Sequence, residues 1–411
     1  MCPRNAAKRR RIWSVADERS ARCGLWATEQ GQNAGGLVFI SRLSSNWSLD
    51  RLFLAGSVLE PGTMRSRHII IIGAGIVGAC IAHTLSRKDL KVTIVDALAG
   101  PGLGVSAASF GWITCAAGSP ESPDQVYRSR LESVDHYVSL DVEFGGRILA
   151  PSKGALIWGA DEGETLEWAQ RHEARGSQVR LVSRAEIAAM EPLIAAPPSL
   201  AAYFPRERAV DVREACALLV RSSIDFGSKV MFNCRIQGLE TRNGRVAGVR
   251  LQDRIIAADQ VIVAAGAQSP ALIADAMPEN GVTVSPAALI TLSADNGRLA
   301  HVTKGGGLEI RSRKNGELIV AIGVENGPET PSKAMLAQEV LSKLQRLYPA
   351  IANPCVTSVE IGMRPFHDDD APIVSAADEV EGLYLAVAHP GVILAPEMAR
   401  MLADMVCEQD A

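Results

Sequence analysis

The sequence predicts an α/β protein of two interleaved parts: a doubly wound domain on a parallel sheet, and an α+β domain on a mostly antiparallel sheet. Three observations carry this expectation. From His68 to Asp96 a strand, a glycine-rich turn, a helix and a second strand follow one another, the order of a βαβ unit. A second fully apolar strand ending in glycine, Val261–Gly266, lies mid-chain, and a strand-to-helix passage, Leu383 to Val406, closes it. Between these, from about Pro278 to Gly323, the pattern is β-rich with glycine-rich turns. The 411 residues exceed the usual size of one core. Signals of one domain at the beginning, middle and end require the other to be inserted in pieces. The expected division is 64–150, 211–275 and 361–411 for the first domain, 151–210 and 276–360 for the second.

Residues 68–72 form an apolar strand, which Gly73 follows without a gap. Ala79 to Lys88 places Ile81, Ala82 and Leu85 at helical spacing, and Lys91–Asp96 is a β-branched strand. Helical patterns recur near 125–144, 164–175, 184–190 and 213–226, with strands near 155–159, 229–232 and 246–251. Gly244 is placed to turn a hairpin. Pro331–Tyr348 carries Leu336, Val340, Leu344 and Leu347 on one helical face. The final helix is expected from about Ala395 to Val406.

With 47% hydrophobic and 21% charged residues the composition is that of an ordinary globular protein. A net charge of −4 gives no reason to expect nucleic acid. No apolar run approaches the roughly 20 residues of a membrane-spanning helix. The eight cysteines are scattered, with no CxxC pair and no zinc spacing, so no metal is expected and a reducing cytoplasm fits best. Residues 1–63 differ: nine Lys/Arg against five Asp/Glu and no sustained period. Lys8–Arg11 lacks a following apolar region, so a secretory signal is not expected. We read this stretch as a non-native or disordered extension, with Met64 the expected start.

Gly73, Gly75 and Gly78, with Ile76 and Val77 between them, stand where a Rossmann-type unit holds pyrophosphate. The first glycine permits the tight turn, the second close approach of phosphate, the third helix-on-strand packing. Asp96, at the end of the next strand, is placed to accept hydrogen bonds from a ribose diol. Three further segments narrow the reading. Gly102–Trp112 is a small-residue loop containing Ser106, Ala107, Ser109 and Gly111. Ala265 and Gly266 end the middle strand, and His389-Pro-Gly391-Val392-Ile393-Leu394 delivers the last strand into a helix. Together they resemble the D-amino acid oxidase family of flavoproteins, which includes glycine oxidase and sarcosine oxidase, over nearly all of His68–Val406.

That resemblance implies FAD as cofactor, with the small-residue loop beside the flavin and the helix after Gly391 aimed at its N1/C2=O edge. Val392, Ile393 and Leu394 would be its backbone donors. Gly362-Met-Arg364-Pro365 followed by Asp370-Ala-Pro372 is similar to the family's GxRP…DxxP segment. There the arginine clamps the substrate carboxylate, a role suited to a planar, permanently charged guanidinium. Alternatively Arg364 pairs with Glu360 or one of Asp368–Asp370. Cys355 lies several residues away from the place where some sarcosine oxidases attach flavin, so FAD is expected to be non-covalent. His389 reads as a structural hydrogen-bonding group near the ring. No general base is identifiable; nothing in the sequence places Tyr203, Tyr348 or Lys304 in the cavity. The resemblance thus implies oxidation of an amino acid or N-substituted amino acid, with oxygen or a quinone or protein carrier as acceptor. The alternatives are a flavin dehydrogenase of a hydroxy acid or polyol phosphate, or the FAD subunit of a hetero-oligomeric dehydrogenase needing a partner subunit.

Overall fold

The computed structural model describes residues 66–278, 280–324, 331–367 and 371–408; the expected extension and Asp368–Asp370 lie outside them. Ser66–Ala411 is a compact unit, and its fold is the α/β arrangement expected, on two large sheets. The first has six strands in the order Ile373–Ala376, Leu383–Val387, Gln260–Val263, His68–Ile72, Lys91–Val95 and Lys229–Met231. All neighbours are parallel except the first pair. The run His68-Ile-Ile-Ile-Ile does not alternate because both faces are covered. Ile69 and Ile71 meet the helices Ile76–Leu85, Val212–Asp225 and Gly391–Glu408. Ile70 and Ile72 meet a small three-stranded sheet that includes Gly238–Arg242 and Arg245–Arg250. Asn243 and Gly244, both at positive φ, turn that hairpin as the sequence predicts.

The second sheet has eight strands: Cys355–Phe366, Thr283–Ser293, Leu318–Gly323, Leu308–Ser312, Val302–Gly305, Ala155–Ile157, Leu200–Phe204 and Arg180–Ser183. It is antiparallel apart from the pairing of Val302–Gly305 with Ala155–Ile157. One face, with Leu156, Ile290, Ile310 and Val320, is closed by the helix Lys333–Leu347 and by Ile187 of the helix Arg184–Met190. The opposite face, with Ala155, Ile157, Leu289, Val302 and Ile319, receives Phe110 and Trp112 from the end of the small-residue loop.

Four elements in particular depart from the sequence reading. Arg180–Ser183 and Leu200–Phe204 form strands in a stretch whose sequence gives no strand signal. Cys355–Phe366 is a single strand of 12 residues where the sequence reading places no element; it is an edge strand, where Pro365 is tolerated. The last helix begins at Gly391, a full turn before Ala395. Pro396 cannot donate to the carbonyl four residues back, which is Val392. The buried Tyr137 hydroxyl supplies the missing donor, reaching Val392 O at 2.5 Å.

Arg311 joins the antiparallel sheet to the small-residue loop and to the turn before the helix Val212–Asp225. It is 1% exposed. Its Nε donates to Phe110 O at 2.8 Å, Nη2 to Val210 O at 2.7 Å, and Nη1 to Asp211 Oδ1 and Ser312 O, both at 3.1 Å. Burial brings its pKa down to about 10, which still leaves a full cation at neutral pH. Lysine has neither the planar fork nor enough donors for these directions. Arg311→Lys is therefore expected to cost about 3–5 kcal/mol, the range for breaking a buried ion pair. Equilibrium urea unfolding checks this; an unchanged midpoint would show that the clamp contributes nothing to stability.

Candidate active site

The glycine turn is shaped from within and open from without. Gly73 has φ +108, and a Cβ there would lie 2.5 Å from Ala264 O; one on Gly78 would lie 2.0 Å from Gly73 O. Both glycines are thus demanded by the fold, which presses turn, helix and the Gln260–Val263 strand together. Gly75 is different: a Cβ there would meet Ser106 Oγ at 3.0 Å and otherwise open space. It caps the helix Ile76–Leu85, whose first turn carries no acidic residue, so the positive end of the helix dipole stays uncompensated for an anion.

Asp96 stands at the end of its strand as expected, with both oxygens already accepting backbone N–H groups: Ala74 at 2.7 Å and Leu98 at 2.8 Å. A carboxylate retains further lone pairs for a ribose. The buried Ser106 accepts from Ile76 N at 3.0 Å, so the loop is fastened to the helix start. Ala107 and Ser109 continue as tight turns, their N–H groups bonded to Gly104 O and Ser106 O. Gly111, at φ +72, leaves no room for a Cβ beside Val210 O, and Arg311 Nη2 lies next to it. Gly266, at φ +55, begins a short 3-10 turn after Ala265. These segments converge: a Cβ on Gly266 would touch Val105, and one on Gly362 would meet Val105 and Ala108.

At the C-terminal turn a Cβ on Gly391 would touch Val77, which sets the two helix starts side by side. Leu394 N donates to Pro390 O at 3.2 Å, which takes it out of the set of free donors expected here; Val392 and Ile393 precede it. A cradle kept open at Gly75, two adjacent helix N-termini and an acid at Asp96 fit a long dinucleotide such as FAD.

Arg364 lies beyond this cradle on the Cys355–Phe366 strand. Its partners are weak: Ser285 Oγ at 3.4 Å and Pro286 O at 3.3 Å, with the Phe366 ring at 5.1 Å and Nε buried without a hydrogen bond. Among the described residues no carboxylate, Glu360 included, forms an ion pair with it. Phe366 in turn stacks on His389, ring centroids 4.2 Å apart. Burial, then the charges of Arg364 and Arg130, hold His389 down to about 4, so it is neutral at pH 7.

The strand registers place other charged groups on the face that carries Arg364. Ser285 pairs with Arg364, Ala287 with Gly362 and Gly323, and Leu289 with Ala321. Arg311 pairs with Ile319, and Lys304 with Glu309. Because side chains alternate, Arg364, Glu309, Lys304 and Arg311 all share the face turned toward the loop. Lys304 Nζ lies 3.9 Å from Glu309 Oε2. Burial pushes the Glu309 carboxyl above its ordinary range, with Lys304 and then Arg364 pulling it back. The two tyrosines weighed alongside Lys304 are elsewhere: Tyr203 bonds Lys153 O, and Tyr348 bonds Thr303 on the covered side. Glu309 is the group that sequence reading missed. The alternation in Leu308-Glu-Ile-Arg-Ser312 signals its strand, but not that the polar side is enclosed.

The comparisons agree with this geometry. The family model described as FAD dependent oxidoreductase matches residues 68–405. An uncharacterized oxidoreductase YurR of Bacillus subtilis is 28% identical over 359 residues, covering 82% of this chain and 94% of that one. A glycine oxidase of Pseudomonas aeruginosa is 25% identical, covering 83% and 95%. Among solved structures, glycine oxidase from Bacillus cereus superposes with a TM-score of 0.75 at 19% identity, over 84% of this chain and 96% of that one. L-proline dehydrogenase from P. horikoshii superposes at 0.73 with 21% identity, over 84% and 94%. With a dinucleotide cradle open at Gly75, a loop that runs from it to an arginine-bearing sheet, and a family match spanning both, the chain belongs to the FAD dependent oxidoreductase family and is an FAD-dependent enzyme.

Proposed function

We propose that this enzyme oxidises the C–N bond of an amino acid or N-substituted amino acid, giving an imine that water hydrolyses. The observation that carries this reading is Arg364: a guanidinium with weak partners, on a face turned to the cofactor loop. Such a group is ready to take a carboxylate bidentately. The names of two curated relatives, both glycine oxidases, support the same substrate class.

In this reading Gly73, Gly75, Ile76, Val77 and Gly78 bind the pyrophosphate, Asp96 the ribose, and Ser106, Ala107, Ser109, Gly111, Ala265 and Gly266 border the flavin without a covalent link. Bound FAD supplies a ring that accepts two electrons as hydride. The helix starting at Gly391, through Val392 and Ile393, favours the negative charge that comes with reduction. Arg364 holds the carboxylate, so the Cα–H stays fixed over the ring; positioning of this kind lowers barriers by several kcal/mol. Neutral His389 and Phe366 wall the site and keep water from the reacting carbon. The division of labour follows the two sheets: 64–150, 211–275 and the chain beyond Phe366 for cofactor, the antiparallel sheet for substrate. Oxygen or a quinone or protein carrier would be the final electron acceptor.

Anaerobic bleaching of the 64–411 chain by a pool of D-, L- and N-methyl amino acids tests the reading. Yellow protein that no amine reduces would refute it. Arg364→Ala should keep FAD but raise the KM for carboxylated substrates by about 10²-fold, the scale of one lost charge-assisted pair; an unchanged KM removes Arg364 from the site. Gly75→Val should fill the cradle and give folded, colourless protein, checked by visible absorbance beside circular dichroism.

A further inference from the structure

We infer that Glu309 is the base that takes the proton from the substrate's ammonium group before oxidation. This rests on the amine-oxidation reading above and adds the residue which that reading lacks.

Glu309 and Arg364 share one face of the antiparallel sheet, three strands apart. Three spacings of about 4.8 Å across the strands, and an offset of four residues along them because Glu360 rather than Arg364 ends the row of Glu309, separate their backbones by about 20 Å. Two long side chains reaching toward each other leave a gap of about 10 Å, which a small amino acid fills once it is hydrogen-bonded at both ends. The positions between them are Ser285, Ala287, Ala321 and Gly323, and a Cβ on Gly323 would meet nothing within 4 Å. The face is therefore hollow there, with a cation on one wall and a carboxylate on the other. An α-amino acid is a zwitterion, and only one orientation satisfies both walls: carboxylate on Arg364, ammonium toward Glu309. The charged groups facing Glu309 are Lys304 across the strand pair and Arg364 across the hollow. Arg311, next on its own strand face, is neutralised by Asp211.

The step balances simply. The proton passes from R–NH3+ to the Glu309 carboxylate, giving R–NH2 and a carboxylic acid. The freed nitrogen lone pair can then form C=N as the Cα–H bond gives up its pair, for which the FAD held at the cradle would be the two-electron acceptor. Water adds to the resulting iminium, and Glu309 releases its proton to solvent. Without the first transfer the lone pair is tied up and no hydride can leave. Burial that lifts the carboxyl above its ordinary range makes it the better proton acceptor while ionised. An ammonium proton is within reach of such a base, whereas an alcohol proton is far less acidic, which favours amine over hydroxy-acid substrates.

The experiment is anaerobic reduction of the holoenzyme by its amino acid substrate across pH, for wild type and Glu309→Gln, beside spectral titration with acetate. A base acts only when ionised, so the wild-type rate should fall as pH drops through the Glu309 pKa. Glu309→Gln should bind acetate at least as well, since it loses a repelling charge. Its reduction at neutral pH should drop about 10²–10⁴-fold, the usual range for a general base, and rise steadily with pH as free amine appears. An unchanged rate and profile in Glu309→Gln overturns the assignment while leaving amine oxidation intact, and so does loss of acetate binding. A wild type that binds acetate but is reduced by no amine overturns the reading beneath it, and the assignment with it. Should Glu309→Gln not fold, Lys304→Met serves: removing that cation should move the acid limb upward, and an unmoved limb refutes the role.

Discussion

The active region depends on one buried guanidinium. Arg311 reaches from the antiparallel sheet to Phe110 O, Val210 O and the Asp211 carboxylate, so it fixes the height of the cofactor loop above the sheet. Gly111 turns at φ +72 in the space left between Val210 O and the Arg311 fork, where no side chain fits. Desolvating such a charge is unfavourable in itself, and four hydrogen bonds offset that cost only while all partners keep their directions. The loop is thereby held at one height above the antiparallel sheet, and the hollow between them keeps a defined depth.

The parts of the fold legible in the sequence are those whose cause is local. Four isoleucines in a row announce a strand covered on both faces, and the glycine spacing after it announces the turn. Gly78 is excluded from carrying a side chain by Gly73 O, a local neighbour, and Gly73 itself turns at φ +108, so their spacing survives in one dimension. The strand Cys355–Phe366 was hidden because glycine and proline weaken a strand signal, and the edge position that tolerates Pro365 is a fact of three dimensions. The last helix was read a turn short because the donor that replaces Pro396's missing N–H is Tyr137, far away in sequence.

The candidate site divides the same way. Arg364 stands in a local motif and could be named. Glu309 could not, because Leu308-Glu-Ile-Arg-Ser312 alternates as any half-exposed strand does. Such a pattern assigns Glu309 and Arg311 to solvent. Only the loop arriving from the other part of the chain turns that side into an interior. One of the two charges then becomes a structural clamp and the other faces a hollow.

The contrast between these two arginines shows where affinity is reserved. Arg311 is buried, with all three nitrogens engaged by a carboxylate and three carbonyls, so it is closed to a ligand. Arg364 has a ring beside it, two long contacts and a buried Nε with no acceptor. Burial lowers its pKa, and Glu309 only partly opposes this across the hollow. A closer Glu309 would satisfy Arg364 and close the site with an internal ion pair. A more distant one would leave the guanidinium unbalanced in a half-buried place. Ser285, Ala287, Ala321 and Gly323 on the intervening strands keep the space between the two charges clear of large side chains, so the small residues define the hollow as much as the charged ones do.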